Sequence, residues 1–100
     1  MIDVKMFKST IDYTNEKFLI TNEPVMKLTM DVLDVLNKNG KIVIKGKGES
    51  CPTTVSVANI ITQNILNGIS KTEKIFVDSE ISDDGRLIST IEITITKISS

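Results

Sequence analysis

A two-layer α/β (α+β) sandwich, with its elements in the order βαβαββ, is the fold this sequence predicts. Three observations carry it. Two segments place apolar residues at three- and four-residue steps and each ends in Asn-Gly; β-branched runs flank them; and the C-terminal stretch alternates apolar and polar residues strictly. The simplest assembly is a four-stranded mixed sheet with both helices on one face, its first two strands made parallel by a right-handed crossover.

Residues 1–15 mix polar and apolar side chains without stop signals. Ile2, Val4 and Met6 alternate, so the segment reads either as an extra edge strand or as an N-terminal arm ahead of one domain over 16–100. Lys17-Phe18-Leu19-Ile20-Thr21 has the composition of a short strand. Asn22-Glu23-Pro24 then offers a capping residue and a proline, which together open a helix. From Val25 to Asn39, one stripe holds Val25, Leu28, Val32, Val35 and Leu36, and a second holds Met26, Met30 and Leu33, so burial over a wide arc is expected. Asn39-Gly40 is a left-handed stop.

Lys41-Ile42-Val43-Ile44-Lys45 is apolar on both faces at its centre and reads as an internal strand. After the loop Gly46–Ser50, a second helix starts near Pro52, capped by Ser50 or Cys51. Its expected buried stripe is Val55, Ala58, Ile61 and Ile65, extended by Val57, Ile60 and Leu66, and Asn67-Gly68 ends it. A third strand runs from Lys74 to Ser82, and Asp83-Asp84-Gly85-Arg86 turns the hairpin. The last strand puts Ile91, Ile93 and Ile95 on one face and Thr90, Glu92, Thr94 and Thr96 on the other.

Composition narrows the function classes. The chain has 100 residues, enough for one core, and a formal net charge of −1, so any attraction for a polyanion must come from a local patch. Histidine, the commonest general base and metal ligand, does not occur. The carboxylates lack calcium-loop spacing, and no Gly-Lys-Ser/Thr follows Gly46-Lys47-Gly48. No catalytic residue, metal, cofactor or small-molecule substrate is therefore expected, and the chain is not read as an enzyme. Four aromatics (Phe7, Tyr13, Phe18, Phe76) are too few for base stacking on several rings. No apolar run approaches the roughly 20 residues of a membrane span. A signal-peptide pattern is missing from the start and Cys51 is alone, so a reducing location, cytoplasmic and/or nuclear, is expected. Cys51 itself reads as a half-buried helix-start residue or as a mildly redox-sensitive thiol.

Three strings stand in order on the expected elements: Glu23-Pro24-Val25-Met26, then Ile42-Val43-Ile44-Lys45-Gly46-Lys47-Gly48, then Ser89-Thr90-Ile91-Glu92-Ile93. Over residues 18–97 the chain thereby resembles the Alba family of chromatin and RNA-binding proteins. The resemblance implies a fold like the C-terminal domain of a translation initiation factor. It also implies binding of RNA and/or DNA by a homodimer, or by a heterodimer with another Alba-like chain, whose long hairpins reach along the grooves. Departures are specific. Where archaeal members carry two lysines before the proline, this chain has Asn22 and Glu23, and Glu49 stands at the last basic position of the loop after the second strand. Asp78, Glu80, Asp83 and Asp84 make the first arm of the hairpin acidic. Such departures suit an RNA-binding or heteromeric member better than a packager of duplex DNA. The alternative is a structural subunit of a ribonuclease P/MRP-like RNA–protein particle, with little RNA binding of its own.

Candidate nucleic-acid contacts follow from charge. Lys38, Lys41, Lys45 and Lys47 occupy a window free of acids. Lys45 and Lys47, with Gly48, would meet the N-terminus of the second helix, whose amides favour phosphate; otherwise these lysines only solvate a sheet edge. Thr53 and Thr54 could add hydroxyls, or simply begin a helix. Lys27 either replaces the missing lysine pair or is a solvated surface residue. Arg86, at the hairpin tip, either takes a phosphate or pairs with Asp83 and Asp84.

Overall fold

The second strand is a two-faced ribbon, and the architecture is built around it. In the computed structural model, which describes residues 17–98, the chain runs β1 (Phe18–Leu19), α1 (Val25–Asn39), β2 (Lys41–Lys47), a 3-10 turn (Gly48–Ser50), α2 (Cys51–Ile60), β3 (Ser70–Ile81) and β4 (Leu87–Lys97). The sheet order is β1-β2-β4-β3, with β1 parallel to β2 and the other pairs antiparallel. The expected α+β class, mixed four-stranded sheet and parallel first pair are therefore present. The expected arm or extra strand over residues 1–15 lies outside the described residues.

Burial along β2 alternates residue by residue. Ile42, Ile44 and Gly46 face inward and pair with Ile95, Ile93 and Ile91 on β4. Helices α1 and α2 cover this face with Leu28, Val32 and Leu36 from one and Val57, Ala58 and Ile61 from the other. Each large side chain so buried contributes roughly 1.5–3 kcal/mol. Lys41, Val43, Lys45 and Lys47 point to the opposite face, which no helix among the described residues covers.

Gly46 is the closest approach between the layers. A Cβ there would lie 2.0 Å from Thr54 Oγ1 and 2.8 Å from the Ser50 carbonyl oxygen. The bare backbone lets the first turn of α2 settle onto β2, and this sets the rotation of the helix. Its inward row is consequently Thr54, Val57, Ala58 and Ile61: of the expected stripe Ala58, Ile61 and Val57 are buried and Leu66 packs against the core, but Val55 and Ile65 are exposed and Thr54 takes the leading place. A threonine can lead a buried row because its hydroxyl donates to the Ser50 carbonyl at 2.7 Å. Thr29, fully buried in α1, donates to the Val25 carbonyl in the same way.

Other boundaries differ from expectation for local reasons. In α1 the row through Leu28, Thr29, Val32 and Leu36 is buried, while of the second stripe Met26 and Met30 are more than half exposed and Leu33 is half-buried. Helix α1 starts without a side-chain cap, the Pro24 carbonyl accepting the Leu28 amide, and ends as expected at Gly40 in the left-handed region (φ 80°). Beyond Ile60, α2 widens into a π-helical turn over Ile61–Ile65, closed by the Leu66 amide donating to the Ile61 carbonyl. Strand β3 begins at Ser70, four residues before the expected Lys74. It is an outer strand, so its polar start needs no apolar signal, and a bulge between Thr72 and Lys74 breaks the alternation.

Substituting Gly46→Ala should lower stability by about 2–3 kcal/mol, a fall in Tm of roughly 10–20 °C, measured by thermal unfolding. Adding Thr54→Ala should restore only part of this, because the clash with the Ser50 backbone persists. A melting temperature unchanged in Gly46→Ala would contradict the packing described.

Candidate nucleic-acid interface

Strand alternation decides where the basic side chains go. Because Gly46 faces α2, its neighbours Lys45 and Lys47 project from the other side of the sheet. The expected cluster of these lysines with the α2 N-terminus is thus not assembled: the two lie on opposite faces. What the sheet gathers on the helix-free face is a different set. Lys41, Lys45 and Lys47 come from β2, Lys17 precedes β1, and Lys71 and Lys74 share rows with Thr96 and Thr94 of β4.

Carboxylates run through this set. Lys17 Nζ lies 2.9 Å from Glu92 Oε2, and Lys45 Nζ lies 3.7 Å from the same oxygen and 3.4 Å from Glu80 Oε2. Lys47 Nζ is 3.2 Å from Glu80 Oε1, and Lys41 Nζ is 3.5 Å from Glu73 Oε1. Only 19% of the Lys45 side chain is exposed, whereas 47% of Lys47 and 58% of Lys41 reach solvent. Lys71 and Lys74 form no ion pair among the described residues. Hydrogen bonds from Lys47, and then from Lys45, hold the Glu80 carboxyl below the usual glutamate range despite some desolvation. The Thr96 hydroxyl, aided by Lys41, does the same for Glu73.

The remaining expected contacts are dispersed. Thr54 requires correction: it is fully buried and its hydroxyl is committed to Ser50, so it cannot meet a phosphate. Thr53 sits half-buried beside it, and Gly48 opens the 3-10 turn with φ 55°. Lys27 lies between Glu23 at 3.1 Å and Asp31 at 3.0 Å, and hydrogen bonding to Asp31 and then Glu23 raises its pKa, so its charge is shared with two carboxylates of its own helix region. Arg86 leads into β4 from the hairpin turn, largely exposed, with Nε 3.7 Å from Asp84 Oδ2. That turn is closed by the Ser82 amide on the Arg86 carbonyl and by Asp84, whose carboxylate accepts from the Ser82 hydroxyl and the Arg86 amide and titrates low as a result. Cys51 is half-buried, its thiol directed at the Gly46 and Ser89 carbonyls.

The lysines are visible in the sequence by charge, whereas their pairing with Glu80 and Glu92 is not. The outward side of Glu92 was readable from the alternation of β4; its place beside Lys45 depends on the β2–β4 register. Among the described residues, no helix is long and apolar enough to cross a membrane and no acidic, cysteine or histidine cluster could hold a metal.

The low-titrating carboxylates give a pH signature. Their folded pKa values are depressed, so the ion pairs contribute fully above the usual glutamate pKa and are lost as pH falls through the lowered values. An NMR titration of side-chain carboxyls should place Glu80 below the usual range, and Lys47→Ala should move it back up. A Glu80 that titrates normally in the unmodified chain would mean the bridge is not populated.

Comparison with known proteins gives concordant results. The chain shares its fold with Alba from Thermoplasma volcanium, at 30% identity and TM-score 0.71, over 82% of this chain and 100% of that one. It shares it also with ALBA1 from Trypanosoma brucei, at 16% identity and TM-score 0.67, over 81% of this chain and 68% of that one. The Alba family model matches residues 16–79, and that match, with the archaeal identity across a whole chain, establishes that the protein belongs to the Alba family.

Proposed function

We propose that this chain binds RNA, and DNA by the same kind of backbone contact, as a dimer and without catalysing a reaction. Alba membership supports a nucleic-acid-binding role in general. One observation carries the specific reading: Lys17, Lys41, Lys45, Lys47, Lys71 and Lys74 gather on the sheet face that no helix covers among the described residues. Ammonium groups spread over a strand-lined surface neutralise phosphates and follow shape. Base reading is not part of the proposal, because Phe76 is the exposed ring on that face among the described residues. Arg86, near the hairpin tip, would extend the contact by pairing with a phosphate in place of Asp84.

Dimerisation is supported by the hairpin. Ile75, Val77, Ile81 and Leu87 share the inward side of the sheet with Ile91 and Ile93, but they lie past the cover of the helices. Val77 is 67% exposed, and Ile81 and Leu87 are each 73% exposed. Apolar side chains in a row at such exposure suit a protein partner. A second copy, or an Alba-like relative, would bury them.

The second reading is a structural subunit that pairs with a basic relative inside an RNA–protein particle. The observation favouring it is the pairing of Lys45 and Lys47 with Glu80 and Glu92, which reduces what the lone chain offers to phosphate.

In the first reading, affinity for single-stranded RNA should fall about sevenfold between roughly 50 and 200 mM salt, as for two phosphates neutralised. Replacing Lys45 and Lys47 together by Ala should weaken binding at least about tenfold at the lower salt. A flat salt response, or full affinity in the double variant, would overturn it. RNA binding that arises only after mixing with a basic Alba-like chain would establish the second reading instead. Sizing should give twice the chain mass of 11.1 kDa, and Val77→Glu with Leu87→Glu should return it to a monomer. A monomeric unmodified chain would refute self-association.

A further inference from the structure

Glu80 stands on β3, yet its carboxylate reaches over β4 to two lysines of β2. Each oxygen takes one ammonium: Oε1 lies 3.2 Å from Lys47 Nζ and Oε2 lies 3.4 Å from Lys45 Nζ. Glu92 holds Lys45 from the other side at 3.7 Å and is itself anchored by Lys17 at 2.9 Å. Lys45, with little exposure, is thereby fixed in place and aimed at the same point as Lys47. Two ammonium groups converging on the paired oxygens of one anion is also how lysines hold a backbone phosphate.

We propose that Glu80 occupies, from within the chain, the seat that a nucleic-acid phosphate takes, and so acts as the residue that sets the affinity and salt response of this face. The proposal deepens the binding reading above and rests on it. A polyanion must displace the Glu80 carboxylate before it reaches Lys45 and Lys47. The counterions released on binding are those condensed on the nucleic acid, one set for each phosphate neutralised; with the Glu80 carboxylate beside them, Lys45 and Lys47 neutralise fewer phosphates, so binding is weaker and its dependence on salt shallower than free lysines give. Because Glu80 belongs to the hairpin, the exchange also releases one tie between the β3–β4 arm and β2.

The test compares the full chain with Glu80→Gln and Asp34→Asn, using a homopolymeric single-stranded RNA and a duplex DNA as probes. Asp34→Asn removes the same charge from the exposed surface of α1, away from the seat. Glu80→Gln should bind at least about threefold tighter at low salt, and its loss of duplex affinity between roughly 50 and 200 mM should steepen from about tenfold to about fortyfold, one more phosphate neutralised. Asp34→Asn should leave both quantities unchanged. If Glu80→Gln binds no tighter than the unmodified chain, or Asp34→Asn tightens binding as much, the role of Glu80 is overturned while the binding reading stands. If none of the three proteins binds either probe, the binding reading itself fails, and this proposal with it.

Discussion

The contact between the bare backbone of Gly46 and the first turn of α2 is the constraint from which the molecule's two surfaces follow. It brings Thr54 and the Ser50 carbonyl onto β2 at a distance no side chain would tolerate. The rotation of α2 is then set, and with it the inward row of Val57, Ala58 and Ile61 over Ile44 and Ile93. A strand has a period of two, so holding Gly46 and Ile44 inward forces Lys45 and Lys47 outward. Core and charged face are two consequences of one register; a slip by one residue would bury the lysines and expose the isoleucines.

The charged face behaves as a balanced surface, not a uniformly basic one. Lys17, Glu92, Lys45, Glu80 and Lys47 form a chain of opposite charges across four strands' width. This arrangement fits the near-neutral composition, and it fits the departures from the archaeal pattern at Asn22, Glu23 and Glu49. Under the proposed function, such a face would have modest intrinsic affinity for a polyanion and would gain from being doubled. The apolar row of the hairpin, from Ile75 to Leu87, offers a physical route to that doubling, since burying it against a second chain would present two such faces together.

Element order was legible in the sequence because each element carries its own punctuation: Pro24 and Pro52 at helix starts, Asn39-Gly40 at a helix end, Asp84-Gly85 in the hairpin turn, and the isoleucine alternation of β4. What stayed hidden depends on tertiary contact. Thr54 and Thr29 are buried polar residues whose hydroxyls are satisfied by their own helices, so hydropathy assigns them to the wrong face. Met26 and Met30 are apolar yet exposed, and β3 begins in a polar run because an outer strand can. For the site, Lys41, Lys45 and Lys47 could be picked out by charge and the outward side of Glu92 by alternation. The acidic partners could not, because Glu80 meets Lys47 only through the pairing of three strands. The separation of the lysines from the α2 entrance needed the same knowledge, as sequence proximity placed them together.

Under the proposed function, nucleic acid meets the side of the sheet opposite α1 and α2. Backbone and lysine side-chain NMR of the full chain, titrated with single-stranded RNA, examines this contact most directly. Shift changes should concentrate on Lys41, Lys45, Lys47 and the Thr90–Thr96 stretch of β4, with the Lys45 and Lys47 ammonium signals moving together as Glu80 is displaced. Changes confined to the outer surface of α1 around Met26 and Met30, or to the α2 entrance at Thr53, would contradict it.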